Sequence, residues 1–113
     1  MIKRGEIYLV NLNPRRGNEV GKLRPALILQ TDALNEVLHP TVIILPLTTN
    51  LIDQNILRFR IKKRDRLEKD SDVLCDQIRA IDIERIKSKP LTTLSDEELL
   101  QIEQRVKIVL DFS

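Results

Sequence analysis

Residues 41–45 read Thr-Val-Ile-Ile-Leu, β-branched at four of five positions, and no other stretch restricts the fold of this chain so strongly. Side chains branched at Cβ crowd the preceding turn of a helix but suit a pleated, half-buried surface, so the run predicts a strand. Residues 6–12 carry Ile7, Tyr8 and Val10, and residues 26–31 open on Ala26-Leu27-Ile28-Leu29, which adds two more strands. In residues 56–61, Leu57, Phe59 and Ile61 fall on one face and Ile56, Arg58 and Arg60 on the other. That is the pattern of a strand near an edge with one dry side. Residues 71–80 predict a fifth strand, in which Asp76 and Gln77 bring polar side chains to both faces near its end. Residues 32–38 and 82–86 suit short helical turns. Only the C-terminal segment predicts a full helix: Ser95 with Glu98 three residues on forms a capping box, and Leu94 and Leu99 can staple its start. Leu99, Ile102, Val106, Val109 and Leu110 then make an apolar stripe. The expected fold class is mainly β with some α (α+β), a sheet covered by one helix.

A length of 113 residues suits one domain, taken as 1–113, with a single hydrophobic core. Cys75 is the only cysteine, so no intramolecular disulfide can form, and no charged start followed by a long apolar run marks a signal peptide. A cytoplasmic location is expected by default. The longest apolar run, residues 42–47, falls far short of the ~20 residues that span a bilayer. Net charge is only +2 but unevenly spread: residues 58–69 hold seven bases against two acids, whereas residues 95–113 hold five acids against two bases. The acids Asp96, Glu97 and Glu98 belong at a helix start on dipole grounds alone. The basic stretch is either a solvated face or a surface for a polyanion.

Four cations and two glycines lie between Arg15 and Arg24, immediately before an apolar run. This arrangement predicts a loop that delivers an arginine to the edge of a rigid sheet, where an anion can be held. Arg24 is the leading candidate: its guanidinium fork matches phosphate oxygens, and Pro25 biases it towards extended backbone. No metal site is visible, because Cys75 and His39 are solitary and no carboxylates cluster at ligand spacing. The three glycines, Gly5, Gly17 and Gly21, match no nucleotide-cofactor pattern, and no cofactor is expected.

Gly5-Glu6-Ile7-Tyr8-Leu9-Val10, Gly17-Asn18-Glu19 with Gly21, Arg24-Pro25-Ala26-Leu27-Ile28, Pro46-Leu47-Thr48-Thr49 and Cys75-Asp76-Gln77-Ile78-Arg79-Ala80-Ile81 together resemble the MazF/PemK (Kid) toxin family, in order and across nearly the whole chain. The resemblance implies an SH3-like or CcdB-like β-barrel with small helices and a homodimer. It also implies a metal-independent endoribonuclease that cuts single-stranded RNA and is held off by a cognate antitoxin.

Metal-free cleavage needs the ribose 2′-OH to attack the neighbouring phosphorus, leaving a 2′,3′-cyclic phosphate and a 5′-OH. It therefore calls for a charge stabiliser, a proton acceptor and a proton donor. Arg24 fits the first role. The resemblance singles out Thr48 to bond the same phosphate, with Thr49 beside it; the alternative is that Thr48 or Thr49 merely bonds the backbone of a turn running into Asn50. One branch of the family uses a carboxylate at the position of Asp76 for proton abstraction, and burial can raise a carboxylate's pKa towards that role. The other reading makes Asp76 a partner of Arg79 or of a backbone amide. His39 precedes Pro40 in a connection and reads as a surface residue; with one histidine, a two-histidine mechanism is excluded. Asn18, Glu19, Lys22, Thr49, Gln77 and Arg79 are expected to contact substrate. Asn18 departs from the family's usual histidine or serine, and Leu74 stands where one branch has an arginine. Tyr8, Phe59 and Phe112 are the only aromatics, so base stacking on aromatic rings cannot dominate RNA binding. The bases from Arg58 to Arg66 either flank the substrate groove or dock an acidic antitoxin tail. A non-catalytic module on the same barrel, such as a CcdB-like gyrase poison, is the rival reading.

Overall fold

The computed structural model describes residues 1–19 and 21–113, so that Val20 of the loop motif lies outside the described residues. Seven strands form one curled antiparallel sheet: β1 (Glu6–Asn11), β2 (Leu23–Ile28), β3 (Thr41–Thr48), β4 (Arg58–Ile61), β5 (Ser71–Leu74), β6 (Arg79–Asp82) and β7 (Thr92–Thr93). Helix α1 (Asp32–Glu36) joins β2 to β3, a 3-10 turn (Ile83–Arg85) follows β6, and α2 (Asp96–Leu110) closes the chain. The strand order is β4-β5-β3-β2-β1-β7, with β6 also paired to β3. No helix is long and apolar enough to cross a membrane.

Strand β3 is the hub. Its first half, from Thr41 to Ile44, pairs with β6, its last two residues pair with β5, and β2 takes Ile44 to Pro46 along the other edge. Pro46, which has no N–H to donate, sits between the β6-paired and β5-paired halves. Within the β-branched run, Ile44 has a strand partner on both edges, Ile28 on one and Arg79 on the other.

Strict alternation sorts the core into two layers. Ile7, Leu27, Leu45 and Leu47 face one way and pack with Leu99, Ile102 and Val106 of α2. Tyr8, Val10, Ala26, Ile28, Val42 and Ile44 face the other way and pack with Leu12 and Ile81. Because the central parts of β1, β2 and β3 are covered on both faces, these strands read as apolar runs rather than as clean apolar–polar alternation, while Ile43 and Leu23 near the strand starts stay exposed. In α2, Ser95 Oγ accepts the Glu98 N–H at 3.1 Å and Glu98 Oε1 accepts the Ser95 N–H at 2.9 Å, which completes the capping box. Ion pairs Arg4–Glu103 and Arg64–Glu98 fasten the helix to the sheet, and Arg105 lies 5.3 Å above the Phe59 ring. Leu110, assigned to the apolar stripe, is 38% exposed, since it sits in the last turn beyond the reach of the sheet.

The strand bounds change: β1 ends at Asn11 rather than residue 12, β2 ends at Ile28 rather than residue 31, β4 starts at Arg58 rather than residue 56, and three larger differences stand out. β2 begins at Leu23, three residues earlier than residues 26–31 suggested, because pairing with β1 carries Arg24 and Pro25 into the ladder opposite Val10 and Leu9. β3 continues three residues past Leu45 through its pairing with β5. Residues 71–80 are not one strand: β5 ends at Leu74, a turn at Cys75 and Asp76 follows, and the chain restarts as β6 on the other half of β3. The polar residues read as two wet strand faces are turn residues.

The sequence gives no hint of the most buried acid. Asp72 is 1% exposed. Its carboxylate accepts bonds from Arg60 Nε at 2.7 Å, Arg58 at 3.2 Å and the Ile52 N–H at 3.0 Å, while Arg58 also donates to the Asn50 carbonyl. These bonds hold the 49–57 connection against β4 and β5. Burial pushes the Asp72 carboxyl upward, but the bonds from Arg60, the Ile52 amide and Arg58 outweigh it and hold the group below its ordinary value of 3.8. A folded-state pKa below the unfolded one means that the stabilisation is fully present above the unfolded value and is lost as pH falls through the folded one. Asp72→Asn is therefore expected to lower unfolding free energy at pH 7 by about 3 kcal/mol, near the low end for a broken buried pair because both arginines stay partly in water. The deficit should shrink below pH 3.8, which urea titrations of both proteins across pH will measure. Ile102→Ala, at a fully buried site, should cost about 2–5 kcal/mol in the same assay.

Candidate functional site

The register of β2 against β3 pairs Ala26 with Pro46, and carried two residues further it sets Arg24 opposite Thr48. Both side chains line one depression of about 240 Å³, together with Lys22, Leu23, Pro25, Leu47, Thr49 and Ser71. Arg24 is half-buried, and its Nε–H donates to the Gly21 carbonyl at 2.7 Å. That bond orients the guanidinium plane while its terminal amino groups offer a fork of donors. Thr48 is 9% exposed, and its Oγ1 accepts the Asn50 N–H at 3.2 Å. The turn-bonding reading of Thr48 is thus correct, yet it uses the hydroxyl only as an acceptor. The O–H proton can still be directed at a ligand in the depression.

The loop carrying Arg24 is held from several sides. Asn13 Oδ1 accepts the Lys22 N–H at 2.7 Å, and the Leu12 N–H donates to the Lys22 carbonyl at 2.8 Å. Lys22 itself has φ +71, a conformation that side-chain-bearing residues rarely adopt. Arg85 donates to the carbonyls of Asn11 and Asn13 and so clamps the base of the loop. Gly21 is required by close approach: a Cβ there would lie 2.7 Å from Arg15 Cβ. Asn13, Arg85 and Asp72 are supporting residues missed in the sequence. An asparagine before a proline was a detectable signal for Asn13; the contacts of Arg85 and Asp72 span more than seventy and ten residues and had none.

Two further depressions adjoin the first. One, of about 380 Å³, shares Lys22 and Arg24 with it and adds Asn13, Arg15, Asn18, Glu19 and Gly21. The next, of about 410 Å³, shares Asn18 and Glu19 and adds Asp76, Gln77, Ile78 and Arg79. All nine candidate site residues therefore line one continuous surface path: Arg24, Thr48, Thr49 and Lys22 at one end, Asn18 and Glu19 in the middle, and Asp76, Gln77 and Arg79 at the other.

Asp76 does not share a depression with Arg24 and Thr48. It is exposed in the turn after β5, so the burial invoked for proton abstraction is absent, and it forms no ion pair with Arg79 among the described residues. Glu19 is also exposed, and its N–H bonds the Arg16 carbonyl within the loop. His39 is exposed after α1, away from the path. Leu74 is buried and supplies no acid. Burial pushes the Cys75 thiol up to about 12, which keeps it protonated and unreactive. Among the described residues, no cluster of three or more His, Cys, Asp or Glu side chains could hold a metal ion.

The basic stretch is partly self-neutralised. Arg58 and Arg60 pair with Asp72, Arg60 also with Asp53, and Arg64 with Glu98, whereas Lys62, Lys63 and Arg66 are exposed and have no ion-pair partner among the described residues.

The chain and its fold both have counterparts among known proteins. Endoribonuclease MazF of Staphylococcus epidermidis is 39% identical over 112 residues, which cover 97% of this chain and 92% of that protein. Among solved structures, MazF of Deinococcus radiodurans superposes with a TM-score of 0.83 at 22% identity, covering 98% of this chain and 97% of that one. A mycobacterial endoribonuclease in complex with its cognate antitoxin gives 0.78 at 18% identity, covering 100% and 98%. These last two likenesses establish the fold, a mostly β half-barrel with a C-terminal helix. The sequence profile of the PemK-like, MazF-like toxins of type II toxin–antitoxin systems matches residues 3–110, so the chain that holds Arg24 opposite Thr48 belongs to that family.

Proposed function

We propose that this chain is the toxin of a type II toxin–antitoxin system, an endoribonuclease that cuts single-stranded RNA in the cytoplasm without a metal ion. The observation that carries the reading is the juxtaposition of Arg24 and Thr48 across β2 and β3 in one depression. A scissile phosphate lying between them receives the guanidinium on its non-bridging oxygens and the Thr48 O–H on one of the same atoms. As the 2′-oxygen attacks, its proton leaves to solvent in the open depression and negative charge builds on those oxygens. The P–O5′ bond then breaks, the 5′-oxygen takes up a proton, and a 2′,3′-cyclic phosphate remains. Donors set in place for charge that develops only during reaction lower the barrier more than they tighten substrate binding.

Asn18, Glu19, Asp76, Gln77 and Arg79 serve the RNA path beyond the cleaved bond. The exposed cations Lys62, Lys63 and Arg66 attract the polyanion. An acidic, largely disordered antitoxin segment competes for the same charge, and two copies of the chain act together as a homodimer.

Long RNA incubated with the protein in EDTA should be cut to fragments bearing cyclic phosphates; intact RNA at stoichiometric protein would favour a non-catalytic binding role. Arg24→Ala should lower kcat at least ~10²-fold, the scale for removing one preorganised charge stabiliser, with an unchanged unfolding midpoint. Thr48→Val should cost roughly 10- to 150-fold, as expected for a hydrogen bond to a charged group, and Thr48→Ser should restore most of it. For Asp76→Asn the expected change is a higher KM with kcat retained; a collapse of kcat with loss of its pH dependence would instead make Asp76 the proton acceptor.

A further inference from the structure

A second cavity, of about 280 Å³, opens beside the Arg24–Thr48 depression and is walled mainly by Leu9, Pro25, Leu67 and Leu91. It is continuous with that depression, because Pro25, Thr49 and Ser71 line both. Its volume sits just under the usual range for small-molecule pockets, which leaves room for one planar ring system. The walls are prebuilt. The Arg66 N–H donates to the Leu91 carbonyl at 2.9 Å, and Ser71 Oγ donates to the Lys69 carbonyl at 3.0 Å, so the 62–70 connection is tied down on both sides. Leu67 is 3% exposed and belongs to the core. The rim is charged: Arg66, Lys69 and Glu68 are all exposed at the mouth.

We propose that this cavity is a nucleobase slot, receiving the base of a nucleotide that flanks the phosphate held between Arg24 and Thr48. The proposal rests on the nuclease reading and adds to it a site of sequence choice. A phosphate in the first depression leaves an adjacent base free to swing into the second, because the two share a wall. Aliphatic faces of Pro25, Leu67 and Leu91 replace the aromatic platforms that this chain lacks, and Arg66 and Lys69 meet the neighbouring phosphates. Glu68, an acceptor only, is positioned to take an N–H from the edge of the base and so discriminates between bases. A peptide side chain would fit the walls too, but continuity with the Arg24–Thr48 depression through Pro25, Thr49 and Ser71 favours the base of the bound RNA.

The test is cleavage of a short RNA containing one preferred cut site, compared with copies carrying an abasic nucleotide at either flanking position. For the unaltered protein, one of the two abasic substrates should be cut with kcat/KM reduced roughly 5- to 150-fold, the range for losing one stacked base. Leu91→Trp, which fills the slot, should erase the difference between intact and abasic substrates, with a thermal melt checking that it folds. Glu68→Gln, altered only at an exposed position, should relax or shift the base found beside the cut when a random RNA pool is sequenced. If Glu68→Gln leaves the base profile unchanged and both abasic substrates are cut like the intact one, the slot assignment is overturned while the nuclease reading stands. If the unaltered protein cuts no RNA, both are overturned together.

Discussion

Pairing of Ala26 with Pro46 determines where β2 and β3 end relative to each other, and the site depends on that alignment. A slip of one residue would turn every side chain of β2 to the opposite face, moving Leu27 out of the layer under α2 and Arg24 away from Thr48. The register is held by burial on both faces. Leu27 and Leu45 must enter one core layer while Ala26, Ile28 and Ile44 enter the other, so no one-residue shift satisfies both. The chemistry at the strand ends thus inherits its precision from apolar packing well inside the sheet.

Electrostatics divides the arginines into two groups with different work. Arg58, Arg60 and Arg64 neutralise Asp72, Asp53 and Glu98 and hold connections in place, while Arg85 clamps the carbonyls at the foot of the loop. Arg24 bonds only one neutral carbonyl among the described residues and keeps its charge available. Formal charge along the sequence therefore overstates the positive field of residues 58–69, where three of the seven bases are already paired with acids outside the stretch.

Much of this organisation was legible in the sequence because it rests on short-range rules. The capping box at Ser95, the apolar face of Leu57, Phe59 and Ile61, and the run at residues 41–45 each carry their own signal. The nine candidate site residues, chosen from loop composition and family resemblance, line one path. Elements set by distant contacts were not legible. β2 starts early because β1 accepts Arg24 and Pro25 into its ladder, and residues 71–80 break into a turn because β5 and β6 serve different halves of β3. Asp72 carried no signal of its own, since only the fold brings Arg58, Arg60 and the Ile52 amide to it. The exposure of Asp76 follows from the same break in the strand.

Arg15 packed over Gly21, the Asn13 bond to Lys22 and the Gly21 carbonyl holding Arg24 together fix the approach to β2. The entropy of immobilising the guanidinium is incurred when the protein folds, not when RNA arrives. The Arg24 side chain is thus oriented by the fold itself, before any ligand reaches the depression it lines.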